Sequence, residues 1–125
     1  MIALDASALL AFLFREAGHE RVAEEINGAC ISAVNLSEVL GRFARDGFNP
    51  IDALKRIRQT SIAIVPFDED QAALAAVLIP AVRPKVLSMG DRACLALAVS
   101  RGMPALTADR AWAGLNLGIE IRVIR

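Results

Sequence analysis

Short apolar runs alternate along this chain with longer stretches of helical period. Ile2-Ala3-Leu4, Ala29-Cys30-Ile31-Ser32, Ile62-Ala63-Ile64-Val65-Pro66, Pro104-Ala105-Leu106-Thr107 and Ile119 to Ile124 read as strands. Ser7 to Phe14 reads as a helix that is apolar nearly all round, expected either inside the core or under a partner. Gly18 to Ile26 is a polar, amphipathic helix. A third helix carries Leu36, Val39, Leu40 and Phe43 at core spacing, with Asn35, Glu38, Arg42 and Arg45 on another face, and stops at Gly47. Pro50 opens a fourth at a first-turn position, and Asp68 can cap a fifth that runs to about Ile79. Pro80, Pro84 and Lys85 mark a loop, and Ser88 to Arg101 is a strongly apolar sixth helix stopped by Gly102. Strands alternating with helices predict an α/β domain. A mainly parallel five-stranded sheet carries helices on both faces, with right-handed crossovers.

At 125 residues the chain is read as a single domain, 1–125, with a proper core. The composition is 55 % apolar, more than a small monomer needs, which points to a covered face. Net charge is zero, so no global basic field draws in nucleic acid. The cations are twelve Arg and only two Lys, and Arg is the better bidentate partner for phosphate and carboxylate. Cys30 and Cys94 are far apart and read as small buried hydrophobes of a reducing compartment. No basic region precedes the first apolar run, so no signal peptide is expected. The longest apolar run, Ala72 to Val82, is well short of a membrane span of about 20 residues. A cytoplasmic protein with no membrane contact is expected.

Four acids interrupt these apolar segments: Asp5, Glu38, Asp91 and Asp109. Each has a local explanation. Asp5 can cap the first helix, Asn35-x-x-Glu38 and Ser88-x-x-Asp91 resemble capping boxes, and Asp109 can cap a short helix through Trp112. Their joint placement asks for more. Asp5 and Asp109 follow strand ends, while Glu38 and Asp91 fall in the first turns of helices. In an open parallel sheet these positions share one edge, where ligands bind. Four converging carboxylates repel one another unless a cation screens them. Mg²⁺ or Mn²⁺ suits such oxygen donors. Zinc does not, because the only histidine, His19, lies on a polar surface helix. One histidine also leaves no Ser-His-Asp or Cys-His nucleophile, and no Gly-rich phosphate loop is present.

The motifs resemble those of a PIN domain, specifically the VapC-like toxins of bacterial type II toxin–antitoxin systems. The strand ending in Asp5-Ala6-Ser7 looks like the first motif. Ser32-Ala33-Val34-Asn35-Leu36-Ser37-Glu38-Val39 looks like the second, Leu87 to Ala98 around Asp91 like the third, and Leu106-Thr107-Ala108-Asp109-Arg110-Ala111-Trp112 like the last. The resemblance spans essentially the full length, and no acidic position is missing. It implies a three-layer α/β/α sandwich, Mg²⁺- or Mn²⁺-dependent endoribonuclease activity on RNA, a homodimer, and a cognate antitoxin. It also implies that Asp5, Glu38, Asp91 and Asp109 form the acidic site. Asp5, Asp91 and Asp109 are the expected direct metal ligands, and Glu38 ligates through water or helps deprotonate it. Ser7, Asn35 and Thr107 would support them.

Arg42, Arg45, Arg92 and Arg110 flank the acids, with Arg83 and Lys85 ahead of the Asp91 helix. They are candidates for phosphate contacts or for intramolecular pairing. The helices Ser7–Phe14 and Pro50–Gln59 are candidate antitoxin surface, and Trp112 a packing anchor. Two rival readings stay open: a Mg²⁺-dependent phosphatase or phosphoryl-acceptor domain with Asp5 as nucleophile, and a non-catalytic binding module whose acids merely cap helices. A nuclease acting on DNA would use the same acids.

Overall fold

The computed structural model describes all 125 residues. Its strands are β1 (Ile2–Leu4), β2 (Ala29–Ser32), β3 (Ala63–Val65), β4 (Ala105–Thr107) and β5 (Ile121–Val123). The helices are α1 (Ala6–Phe14), α2 (His19–Glu25), α3 (Ala33–Arg45), α4 (Pro50–Arg58), α5 (Glu69–Ala81) and α6 (Met89–Arg101), with a 3₁₀ turn at Arg110–Trp112. The sheet order is β3-β2-β1-β4-β5 and every pairing is parallel. From β1 the chain builds outward through β2 and β3, then returns to lay β4 on the other side. The boundary between β1 and β4 is therefore the topological switch point, where the crevice of an open α/β sheet forms.

Strand alternation divides the core. Ile2, Leu4, Ala29, Ile31 and Leu106 face one way and join Leu9, Val22, Val39 and Ile57 from α1 to α4. Ala3, Cys30 and Ala105 face the other way and join Leu78, Leu95, Leu97 and Trp112. The second face is lined by small residues, so α6 lies close to the sheet, and Ala93 to Ala98 are all buried. This is the expected α/β/α sandwich. Both cysteines are free and buried, and Trp112 is fully buried in the second core.

Three local expectations are corrected. Pro80 lies inside the last turn of α5 rather than in the loop, so that helix reaches Ala81. The third helix begins at Ala33 with Ser32 as its cap, the Ser32 hydroxyl accepting from the Val34 N–H at 3.2 Å. Glu38 is therefore in the second turn, and Asn35-x-x-Glu38 is not a capping box. Asn35 is also not on an open polar face, since it is completely buried.

Candidate functional site

Asp5 stands where β1 ends, and its N–H donates to the Leu106 carbonyl of β4 at 2.9 Å. It occupies the N-cap position of α1, yet its side chain caps nothing. Instead its Oδ2 accepts from the Ser7 hydroxyl at 2.7 Å and from the Thr107 hydroxyl at 2.9 Å. Ser7 Oγ also accepts from the Ala108 N–H at 2.9 Å, and Thr107 Oγ1 from the Asp109 N–H at 3.0 Å. Two hydroxyls thus tie the ends of β1 and β4 together across the switch point. Asp5 is only 5 % exposed. Burial pushes its pKa up to about 6, the Ser7 and Thr107 hydrogen bonds oppose the rise, and the Asp91 and Glu38 charges add to it. Those two carboxylates therefore bear on Asp5 directly.

Glu38 is positioned by Asn35 and Gly90. Asn35 donates one amide N–H to Glu38 Oε1 at 3.0 Å and the other to the Gly90 carbonyl at 2.9 Å, linking α3 to the first turn of α6. A Cβ built on Gly90 would overlap the Glu38 carboxylate. Glycine lets the carboxylate keep its place on Asn35, so Gly90 is a site residue that the sequence reading passes over. Its available signal was a glycine directly ahead of the acid in an otherwise apolar helix start. Asp91 completes the capping box foreseen for α6, with Oδ2 accepting from the Ser88 N–H at 3.0 Å and Ser88 Oγ from the Asp91 N–H at 3.1 Å.

Asp109 differs from the other three. It is exposed and caps the 3₁₀ turn, accepting from the Ala111 N–H at 2.9 Å. Its charge is not among those that raise Asp5. The flanking cations are mostly committed elsewhere. Arg42 pairs with Asp46 at 3.0 Å and lies 4.8 Å over the Phe14 ring. Arg92 donates to the Ala75 carbonyl at 3.0 Å and Arg110 to the Arg125 carbonyl at 3.0 Å, so both bond main chain rather than acids. Lys85 donates to the Ala111 and Ala113 carbonyls and pins the Trp112 segment. Arg45 is exposed and forms no ion pair.

No three acidic, imidazole or thiol side chains stand close enough together to hold an ion as they lie. The donor chemistry nonetheless fits a hard divalent cation. The residues offer carboxylate oxygens, and their charges already act on one another. The Asn35 Oδ1 is buried without a partner, since both of its N–H groups point to Glu38 and Gly90. Unscreened carboxylates hold one another apart, and screening by a cation removes that cost.

Among curated proteins no sequence matches this chain significantly. The fold, in contrast, is widely shared. A toxin–antitoxin complex from Klebsiella pneumoniae superposes with a TM-score of 0.77 at 16 % identity, covering 95 % of each chain. VapBC2 from Rickettsia felis, bound to a fragment of promoter DNA, superposes with 0.76 at 12 % identity over 100 % of both chains. VapC20 from Mycobacterium tuberculosis, a toxin that cleaves the sarcin–ricin loop, superposes with 0.73 at 18 % identity over 94 % of this chain and 98 % of that one. The PIN domain family model matches residues 2–116. With the sheet, the acidic edge and the matched family model in agreement, this chain belongs to the PIN domain family.

Proposed function

We propose that this protein is a divalent-metal-dependent endoribonuclease and the toxin of a toxin–antitoxin pair. The observation that carries the reading is Asp5: a buried carboxylate at the β1/β4 switch point, raised to about 6 in the company of Asp91 and Glu38. A helix-capping role explains neither Asp5 nor Glu38, because neither side chain caps a helix. That weighs against a binding module with ornamental acids. Burial of Asp5 to 5 % exposure, with Oδ2 held by two hydroxyls, weighs against its use as an in-line nucleophile on phosphorus.

Asp5 and Asp91 would hold Mg²⁺ or Mn²⁺, with Asp109 at the rim as a further ligand and Glu38 beside them. When bound, such a cation lowers the pKa of a water and offsets charge on the scissile phosphate. The chain's own residues do the rest. Ser7 and Thr107 fix the Asp5 carboxylate, Asn35 fixes Glu38, and the Ser88 cap fixes Asp91. Glu38, the exposed member of this group, would take a proton from the attacking water. Hydrolysis by this route leaves a 5′-phosphate and a 3′-hydroxyl.

Arg45 is the candidate for an RNA phosphate contact that stays free of an ion pair, whereas Arg42, Arg92 and Arg110 are engaged within the fold. Phe48 and Ile51 are exposed at 58 % and 57 % beside a groove lined by Leu13, Phe14, Phe43 and Ile57, which supports an antitoxin surface on α1 and α4. Val77 and Val86 are further exposed apolar side chains that suit a homodimer contact. No helix is long and apolar enough to cross a membrane, and a cytoplasmic site of action follows from the toxin reading.

The test is cleavage of matched RNA and DNA oligonucleotides with Mg²⁺ or Mn²⁺. The expected result is metal-dependent RNA cleavage, with DNA spared, that Asp91→Asn abolishes. Equal cleavage by the wild type and Asp91→Asn would overturn the site.

A further inference from the structure

The largest cleft in the molecule opens against Glu38, between the start of α3 and the start of α6. Its walls include Val34, Ser37, Phe67, Met89 and Gly90. Phe67 is half-buried and packs against the second core, so its ring is anchored while one part reaches the cleft. Met89 is 44 % exposed on the opposite side. The chain holds only five Phe, one Trp and no Tyr. Phe14, Phe43 and Phe48 cluster with one another at the far groove, Phe12 packs on the first core, and Trp112 is buried. Phe67 is thus the one aromatic ring that shares a cleft with a member of the acid cluster.

We propose that this cleft is a nucleobase subsite, in which an unpaired base next to the scissile phosphodiester stacks on Phe67. The inference rests on the ribonuclease reading above and adds to it the residue on which one base of the substrate is held. The physical argument has three parts. Glu38 makes this wall acidic, which repels a phosphate and tolerates a neutral base. Val34, Phe67 and Met89 supply apolar surface suited to a flat ring, while the exposed Ser37 hydroxyl can accept from an exocyclic amine. Because Glu38 belongs to both sites, a base held here places its own backbone at the acidic edge. A base inside a duplex is stacked and paired, and reaches such a cleft only after being extruded.

The experiment measures cleavage of a single-stranded RNA oligonucleotide with Mn²⁺, using the wild type, Phe67→Leu and Phe67→Tyr. Each is repeated on the same RNA with an abasic residue on either side of the cleaved bond. Aromatic stacking of one base sets the expected scale, about tenfold. Phe67→Leu should lose about that much in kcat/KM through KM, with kcat and the Mn²⁺-induced rise in Tm preserved, and Phe67→Tyr should keep wild-type behaviour. One abasic position should cost the wild type a similar factor and cost Phe67→Leu little more. Wild-type kcat/KM in Phe67→Leu, or independent and multiplying losses, overturns the subsite while leaving the nuclease intact. If the wild type cleaves no RNA with either metal, the underlying reading fails and the subsite with it. Should Phe67→Leu not fold, the exposed Met89→Ala carries the same comparison, with an expected loss of about threefold.

Discussion

Asp5 and Asp109 each follow a strand of the same sheet, β1 and β4, which have two strands between them in sequence but are neighbours in space, and they behave as opposites. Asp109 does what its sequence context suggests: it faces water and caps the turn that follows. Asp5 gives up the same local role. Its cap position is empty of side-chain bonding, and its carboxylate is buried against hydroxyls from its own helix and from β4. A capping acid lowers its own energy locally. A buried acid raised toward neutrality is an unfavourable arrangement that only a bound cation or a reaction rewards. The difference separates an acid that stabilises the fold from one that the fold sustains.

The largest expected effect that bears on this comparison is catalytic. In the RNA cleavage assay, Asp5→Asn should reduce kcat/KM by at least about a hundredfold, as loss of a direct charge-stabilising group does. Asp109→Asn should cost less than about tenfold on the same scale. Equal losses would place Asp109 in the same coordination sphere as Asp5.

The second effect is on stability with chelator present, and its sign follows from proton linkage. The Asp5 pKa is about 6 in the folded chain against 3.8 as the reference. Between those values the folded state binds more protons than the unfolded one, so stability falls as pH rises through the window. The full difference is on the order of 3 kcal/mol at neutral pH. Urea unfolding at pH 4 and pH 7 should show the wild type losing a margin of that order relative to Asp5→Asn, whose amide can still accept from Ser7 and Thr107. Asp109→Asn should track the wild type. Saturating Mn²⁺ should restore about 3 kcal/mol to the wild type at a hundred times its Kd and little to Asp5→Asn.

A third effect sharpens the role of Glu38. Gly90→Ala forces the Glu38 carboxylate, the mobile end of an exposed side chain, off its Asn35 hydrogen bond and should destabilise by about 1 kcal/mol. In a Glu38→Ala background the same substitution should cost much less, and thermal melts of the four proteins measure the coupling. The smallest effect is the loss of the Asp109 cap. Asp109→Ala should lower stability by at most about 1 kcal/mol, read in the same melts.

Much of this is legible in the sequence alone. Six helices and five strands follow from hydrophobic period, and Ser88, Asp68 and Pro50 mark helix starts where they fall. The capping box of Asp91 and the cap of Asp109 were equally readable, because both are made with residues three or fewer positions away. What failed was local in appearance and long-range in cause. Asn35-x-x-Glu38 has the spacing of a capping box, but Ser32 is the better cap and α6 claims the Asn35 side chain. Arg92 and Arg110 flank acids in sequence, but their partners are distant main-chain carbonyls.

By itself, then, the sequence determined the order and kind of the elements, the parallel α/β class and the four acids, since period, turn chemistry and motif spacing are carried by neighbouring residues. The tertiary structure alone decided how those acids differ. The bond from Thr107 to Asp5 spans 102 positions, and the one from Asn35 to Gly90 spans 55. Partners that far apart are chosen by which strands and helices the sheet brings side by side, and no local pattern specifies them.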